Sequence, residues 1–159
     1  PALTGAEIVV QMEGGKSFTI KTDPKGSPKT VQQIVGLVQK GFYNGQRFHR
    51  VEPWVVQWGA PASKKSATEP GVGSGGSGKN MPFESSKIPF KRGVVGIAST
   101  GTKVGGDSQI FVLTKDAEHL NGSYAVLGIV TKGMNVVDAL KVGSKIVKMS
   151  VSPKATGTR

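Results

Sequence analysis

The chain has 159 residues and a mass of 16.6 kDa, with 21 Lys and Arg against 10 Asp and Glu, a formal net charge of +11 and no cysteine. That length suits one domain able to bury its own apolar core, and the missing cysteines exclude a disulfide framework, thiolate catalysis and Cys-ligated metal. The charge excess invites a nucleic-acid reading, but the basic residues are dispersed in runs no longer than the pairs Lys64-Lys65 and Lys91-Arg92. Dispersed lysines mark a solvated surface rather than a basic arm, so no specific nucleic-acid partner is expected.

In chain order, Ile8, Val10 and Met12 alternate with polar residues, and Phe18 and Ile20 repeat the pattern after Glu13-Gly14-Gly15-Lys16. This predicts an opening β-hairpin. Ser27-Pro28 then starts a helix, with Ser27 able to cap and Pro28 in the first turn, where its missing N–H costs nothing. Val31, Ile34, Val35 and Val38 form a one-faced stripe, and Gly41 ends the helix. Short β-branched and aromatic runs over 47–57, 93–98, 110–113 and 124–130 read as core strands, residues 134–140 as a second helix, and 145–151 as a last strand. Many short strands with only two helices predict a mainly β fold: a closed antiparallel β-barrel capped by two α-helices, one domain over 1–159.

Within that domain, residues 60–82 form a long polar, glycine-rich loop with no hydrophobic period. Such a loop in a compact domain is more often functional than incidental. Gly71-Val72-Gly73-Ser74-Gly75-Gly76 fits a dinucleotide fingerprint, and Gly73 through Lys79 nearly fits a P-loop. Neither is supported by context: no strand precedes, Asn80 takes the hydroxyl position, and Pro82 disfavours the helix that must follow. A Ser108–His–Asp triad lacks any nucleophile elbow, and the two histidines, His49 and His119, are too far apart in sequence to suggest a metal cluster. No metal and no cofactor are expected. The longest apolar stretches, Val94–Ala98 and Ala125–Val130, fall far below the ~20 residues of a membrane helix. No leader precedes the first residue, so the expectation is a soluble protein, cytoplasmic or exported after loss of a leader.

The remaining signal is Phe48-His49-Arg50-Val51-Glu52-Pro53-Trp54-Val55-Val56-Gln57, read with Ser108-Gln109-Ile110-Phe111-Val112 and Glu118-His119-Leu120-Asn121-Gly122-Ser123-Tyr124. With these segments the sequence resembles the cyclophilin-type peptidyl-prolyl isomerases, in a bacterial-like form. Pro28-Lys29-Thr30-Val31, Gly41 to Gly45, the glycine loop Gly71 to Gly78 and Val126 to Asp138 extend the likeness in the same order over nearly the whole chain.

The resemblance implies a cofactor-free enzyme that accelerates rotation about X-Pro bonds of protein and peptide substrates and so assists protein folding. It implies Arg50 and Gln57 as catalytic, Arg50 donating to the prolyl nitrogen while Gln57 holds the substrate backbone and orients Arg50. It places the proline ring among Phe111, Leu120 and the Trp54/Val55 pair, with Phe48 also at the substrate site and Tyr124 closing one side. Ala98, Ser99 and Thr100 correspond to the strand that pairs with substrate, Gln109 to the pocket edge, and Gly71 and Gly73 to a neighbouring subsite. His119 stands where many eukaryotic members carry a Trp that contacts cyclosporin, so weak cyclosporin binding is implied.

The chemistry suits these residue types. Peptide rotation faces a barrier of ~18–20 kcal/mol, and X-Pro bonds exchange over tens to hundreds of seconds. A catalyst needs only to favour the twisted state, in which the prolyl nitrogen becomes pyramidal and basic, and a permanently charged arginine fork is a suitable donor. An acceleration of ~10⁵ asks about 7 kcal/mol of differential stabilisation, more than one neutral hydrogen bond supplies. The resemblance implies proline-containing polypeptides as partners, and a monomer is expected. The alternatives are a catalytically weak proline-peptide-binding module of the same fold or a basic nucleic-acid binder.

Overall fold

The computed structural model describes residue 3 and residues 5–152; the expected span of 1–159 also includes residues 1, 2, 4 and 153–159, which lie outside the described residues. The chain begins with the hairpin β1 (Glu7–Met12) and β2 (Ser17–Thr22), in register from Glu7↔Lys21 to Gln11↔Ser17. Ile8, Val10, Phe18 and Ile20 are buried, as the alternation requires. Helix α1 (Pro28–Gln39) buries Thr30, Val31, Ile34 and Val38. It ends where Gly41 turns left-handed (φ 78°), with Gly41 N–H on Val38 O and Phe42 N–H on Leu37 O, a Schellman pair that satisfies two terminal carbonyls.

The other end of α1 departs from the expected cap. Ser27 occupies the cap position, but its Oγ is buried without a partner. Glu84, far along the chain, accepts instead from Lys29 N–H (3.0 Å), Thr30 N–H (2.7 Å) and the Thr30 hydroxyl (2.8 Å). A carboxylate meets both the orphan donors and the positive end of the helix dipole, which a serine hydroxyl cannot do.

The run 47–57 folds as a tight strand pair: β3 (Arg50–Glu52) and β4 (Val55–Trp58) are joined by a turn at Pro53-Trp54. Then follow β5 (Val94–Ile97), β6 (Ile110–Leu113), β7 (Val126–Lys132), a short α2 (Met134–Asp138) and β8 (Ile146–Ser152). All strand pairs are antiparallel, in the order β3-β4-β6-β5-β7-β2-β1-β8.

The architecture is mainly β with two helices, as expected, but "closed" overstates it. The edge strands β3 and β8 do not pair with each other. The seam is made beside them, by the bridge Arg47↔Lys145 and by bonds of Phe48 N–H to Ser144 O and Gly143 N–H to Phe48 O, both 2.9 Å. The sheet is thus a curled half-barrel, its edges covered by a few backbone bonds of the preceding segment.

Alternation along the strands makes two apolar clusters. The larger lies inside the curl and contains Phe18, Phe48, Val56, Trp58, Val95, Ile97, Ile110, Val112 and Leu127. The smaller lies on the opposite face of the same strands and contains Val55, Phe90, Val94, Phe111, Leu113, Ala117 and Val126. Period-2 geometry allows one strand to serve both, so Val56 faces in while Val55 and Gln57 face out.

Candidate active site

The outward face of β3, β4, β6 and β5 sets the site by register. Arg50 is opposite Gln57, Gln57 opposite Phe111, and Phe111 opposite Gly96, so four strands contribute one row. Directly opposed residues share a face, and this row carries a cation, an amide, an aromatic ring and a gap. The gap is required: a Cβ at position 96 would fall 2.8 Å from Phe111 Cε2.

Phe111 is the floor of a pocket of about 210 Å³ lined by Arg50, Trp54, Val55, Gln57, Ala98, Ser99, Phe111, Leu120 and Tyr124. Its ring stacks on Phe90 at 5.9 Å and meets Tyr124 edge-on at 6.2 Å. Trp54 and Val55 both line the pocket, Trp54 half-buried and Val55 buried. Six of the nine lining residues are apolar or aromatic, while Arg50, Gln57 and Ser99 make the rest of the wall polar.

Arg50 is held on three sides. Nη1 donates to Gln57 Oε1 at 3.0 Å, Nε pairs with Glu52 Oε2 at 2.8 Å, and the guanidinium lies 5.5 Å from the centre of the Trp54 ring. Glu52 also accepts from Trp54 Nε1 at 3.2 Å. The Arg50 guanidinium holds the Glu52 carboxyl below its ordinary range, first through the hydrogen bond and then through charge.

The relay continues beyond Gln57. Because arginine only donates, Gln57 must present its oxygen to Arg50 and its NH₂ to Gln109 Oε1, which it meets at 2.8 Å. Gln109 Nε2 then donates to Gly73 O (2.6 Å) and Gly75 O (2.9 Å) of the glycine-rich loop. The direction of every amide in the chain is dictated by the cation at its start.

That loop is better ordered than its composition suggests. It contains 3₁₀ turns at Pro61–Lys64 and Val72–Ser74, and Asp107 accepts from Gly78 N–H (2.7 Å), Lys79 N–H (3.1 Å) and the Ser77 hydroxyl. Together the loop and residues 98–100 and 105–109 enclose a second cleft of about 460 Å³, which shares Gln57, Ala98 and Ser99 with the apolar pocket. His49 lies beneath the loop, against Gly73. Burial of the ring foremost, opposed by contact with Gln109 and reinforced by Arg50, lowers its pKa from 6.5.

Of the residues singled out from sequence, Arg50, Gln57, Trp54, Val55, Ala98, Ser99, Phe111, Leu120 and Tyr124 meet around the apolar pocket, and Thr100, Gln109 and Gly73 line the neighbouring cleft. His119 is exposed and sits 6.2 Å from the Trp54 ring, at the outer rim. Phe48 does not reach the site: it is fully buried in the inner core, 4.9 Å from Trp58. It stands two residues before Arg50, but the extended strand begins only at Arg50, so alternation does not carry Arg50's outward face back to it. Gly71 is exposed at the start of the second 3₁₀ turn and does not line the cleft, because that turn swings Gly73 to Gly76 inward instead.

Neither Glu52 as a partner of Arg50 nor Asp107 as the anchor of the loop is marked by a motif. Glu52 was readable, since a strand places residues two apart on one face, whereas Asp107 meets residues 77–79 only through the fold. Among the described residues no group of three potential metal ligands exists, and no helix is long and apolar enough to cross a membrane.

Residues 8–156 match the family model described as cyclophilin type peptidyl-prolyl cis-trans isomerase/CLD. The chain is similar to a probable peptidyl-prolyl cis-trans isomerase of Brucella abortus (38% identical over 143 residues, covering 87% of this chain and 72% of the relative). It is also similar to peptidyl-prolyl cis-trans isomerase B of Bacillus subtilis (32% over 143 residues, 88% and 94%). Among solved structures, a Cryptosporidium parvum cyclophilin type peptidyl-prolyl cis-trans isomerase superposes with TM-score 0.77 at 21% identity, covering 92% of this chain and 97% of that one. The same protein crystallised in the presence of the dipeptide Ala-Pro gives the same TM-score, 0.77, with 98% of its chain covered.

Proposed function

The chain belongs to the cyclophilin-type peptidyl-prolyl cis-trans isomerases, and from that premise we propose that it turns X-Pro bonds with Arg50 as the donor to the prolyl nitrogen. The observation that carries this assignment is the Arg50 guanidinium fixed at the rim of the Phe111 pocket by Gln57 at 3.0 Å and Glu52 at 2.8 Å.

The proline ring enters the pocket over Phe111, between Leu120, Val55 and Tyr124, with Trp54 at the rim. Burying the ring removes water from the amide, which weakens the solvent's hold on the planar, polar ground state and strengthens the guanidinium's field. As the bond twists, the nitrogen lone pair leaves conjugation and turns toward a donor. Hydrogen bonding from Arg50 then becomes stronger than in either planar isomer, and only such a difference speeds the reaction. Ala98, Ser99 and Thr100 hold the substrate backbone, and Gln57 fixes Arg50 while Gln109 ties both to the loop. No bond to the protein forms and no proton needs to move.

The substrates are proline-containing segments of unfolded or flexible chains, met by a single-domain monomer. Arg50→Ala is expected to lower kcat/KM at least tenfold on a short X-Pro peptide followed by exchange NMR, with peptide affinity largely kept. A loss smaller than tenfold overturns the role of Arg50. Background isomerisation in the unmodified protein, with peptide still bound, points instead to a proline-peptide-binding module.

A further inference from the structure

The cleft beside the proline pocket is built from glycines, amides and hydroxyls, and Asp107 is the only ionisable side chain that lines it. This is notable in a chain of net charge +11. The carboxylate is fixed in place: Oδ2 accepts from Gly78 N–H at 2.7 Å and Lys79 N–H at 3.1 Å, and Oδ1 from the Ser77 hydroxyl. All three donors are neutral, so they orient the charge without cancelling it. An ionised carboxylate has about four acceptor directions, and one remains on Oδ1. The two ion pairs found among the described residues, Arg50–Glu52 and Arg92–Asp138, leave Asp107 out.

The cleft wall also leaves room at this carboxylate. A Cβ at Gly76 would lie 2.7 Å from Asp107 Oδ2, so glycine is what allows the loop to close on Asp107 without covering it. The cleft opens into the proline pocket through Gln57, Ala98 and Ser99, which line both. A chain with proline in one lays a nearby side chain in the other.

We propose that this second cleft selects substrates carrying a lysine or arginine within two residues of the proline, through Asp107. The proposal rests on the isomerase reading above. A long basic side chain can run its methylenes along the glycine wall and bring its cation to Oδ1, whereas an acidic one meets the carboxylate with no compensating cation in the lining.

The test is exchange NMR on short X-Pro peptides in which Lys, Arg, Ala or Glu is placed in turn at each of the two positions before and after proline. At low ionic strength the Lys peptide is expected to exceed the Glu peptide by about fivefold in kcat/KM at one of these positions, the size of a partly exposed ion pair. That ratio should fall toward one as salt approaches 1 M, where the screening length is about 3 Å, and it should collapse in Asp107→Asn. Because the ratio is internal to each protein, a general loss of activity in the variant does not mimic the result. Equal rates for Lys and Glu at all four positions, or a preference that survives both salt and Asp107→Asn, overturns the proposal. Failure to accelerate even the Ala peptide refutes the underlying isomerase reading instead, and is a distinct outcome.

Discussion

Gln57→Glu tests the relay because it preserves shape and reverses only one hydrogen-bonding capacity. In the native site Gln57 accepts from Arg50 at 3.0 Å and donates to Gln109 at 2.8 Å, and Gln109 donates to Gly73 O and Gly75 O at 2.6 and 2.9 Å. A glutamate still accepts from Arg50 but has no proton for Gln109. Either Gln109 Oε1 then faces a carboxylate unpaired, or the amide flips and its oxygen faces the two loop carbonyls, losing both bonds. With each such bond contributing about 1–1.5 kcal/mol, the site loses about 2–3 kcal/mol. The new carboxylate also competes with the prolyl nitrogen for Arg50 and weakens the stabilisation made only in the twisted state. Both effects act in one direction, so kcat/KM should fall about thirtyfold to hundredfold, at about 1.4 kcal/mol per decade. Exchange NMR on an Ala-Pro peptide measures it, and amide hydrogen exchange at residues 73–76 should rise in parallel. A variant within twofold of the native kcat/KM, with unchanged loop protection, refutes the directed relay.

Gly96→Ala should raise KM more than it lowers kcat, because the added Cβ would press within 2.8 Å of Phe111 Cε2 and displace the pocket floor, while Arg50 stays three strands from position 96; unchanged peptide affinity by titration would contradict this. Glu84→Ala should cost about 1–2 kcal/mol by uncapping α1, a fall of roughly 3–8 °C in Tm, with activity nearly kept; an unchanged Tm would show that solvent caps the helix equally well. His49 has a folded pKa below its unfolded 6.5, so the unfolded chain takes up the proton first. The stability of neutral His49 is therefore full above about pH 6.5 and is lost as pH falls below it, and Tm should decline from pH 7.5 to 5.5 with a slope that His49→Gln removes. Cyclosporin should bind weakly while catalysis is retained, since the outer rim carries exposed His119 beside Trp54; nanomolar inhibition of isomerisation would contradict it.

Sequence alone determined the elements whose information is local. The hairpin over residues 7–22, the α1 stripe and its Gly41 stop, and β6 at Ile110–Leu113 follow from periodicity and left-handed glycine, and the structure realises them with little change. The candidate site was partly legible for a similar reason. Arg50, Gln57 and Phe111 interrupt or cap strand patterns that alternation reads directly, and the ordered motifs around them carried the family likeness.

Tertiary structure decided whatever depends on partners distant along the chain. Ser27 had the right residue type for a helix cap, yet Glu84 took the role because a carboxylate brought by the fold binds two backbone donors at once. Phe48 reads like a site residue from its place beside Arg50 but packs on Trp58, because β3 begins only at Arg50. The seam between β3 and β8 and the anchoring of residues 77–79 by Asp107 leave no local signature, since each joins backbone groups whose pairing is set only when the sheet curls. Periodicity records which face a residue takes; which other residue it finds there is fixed by strand register and loop closure, and these are properties of the whole chain.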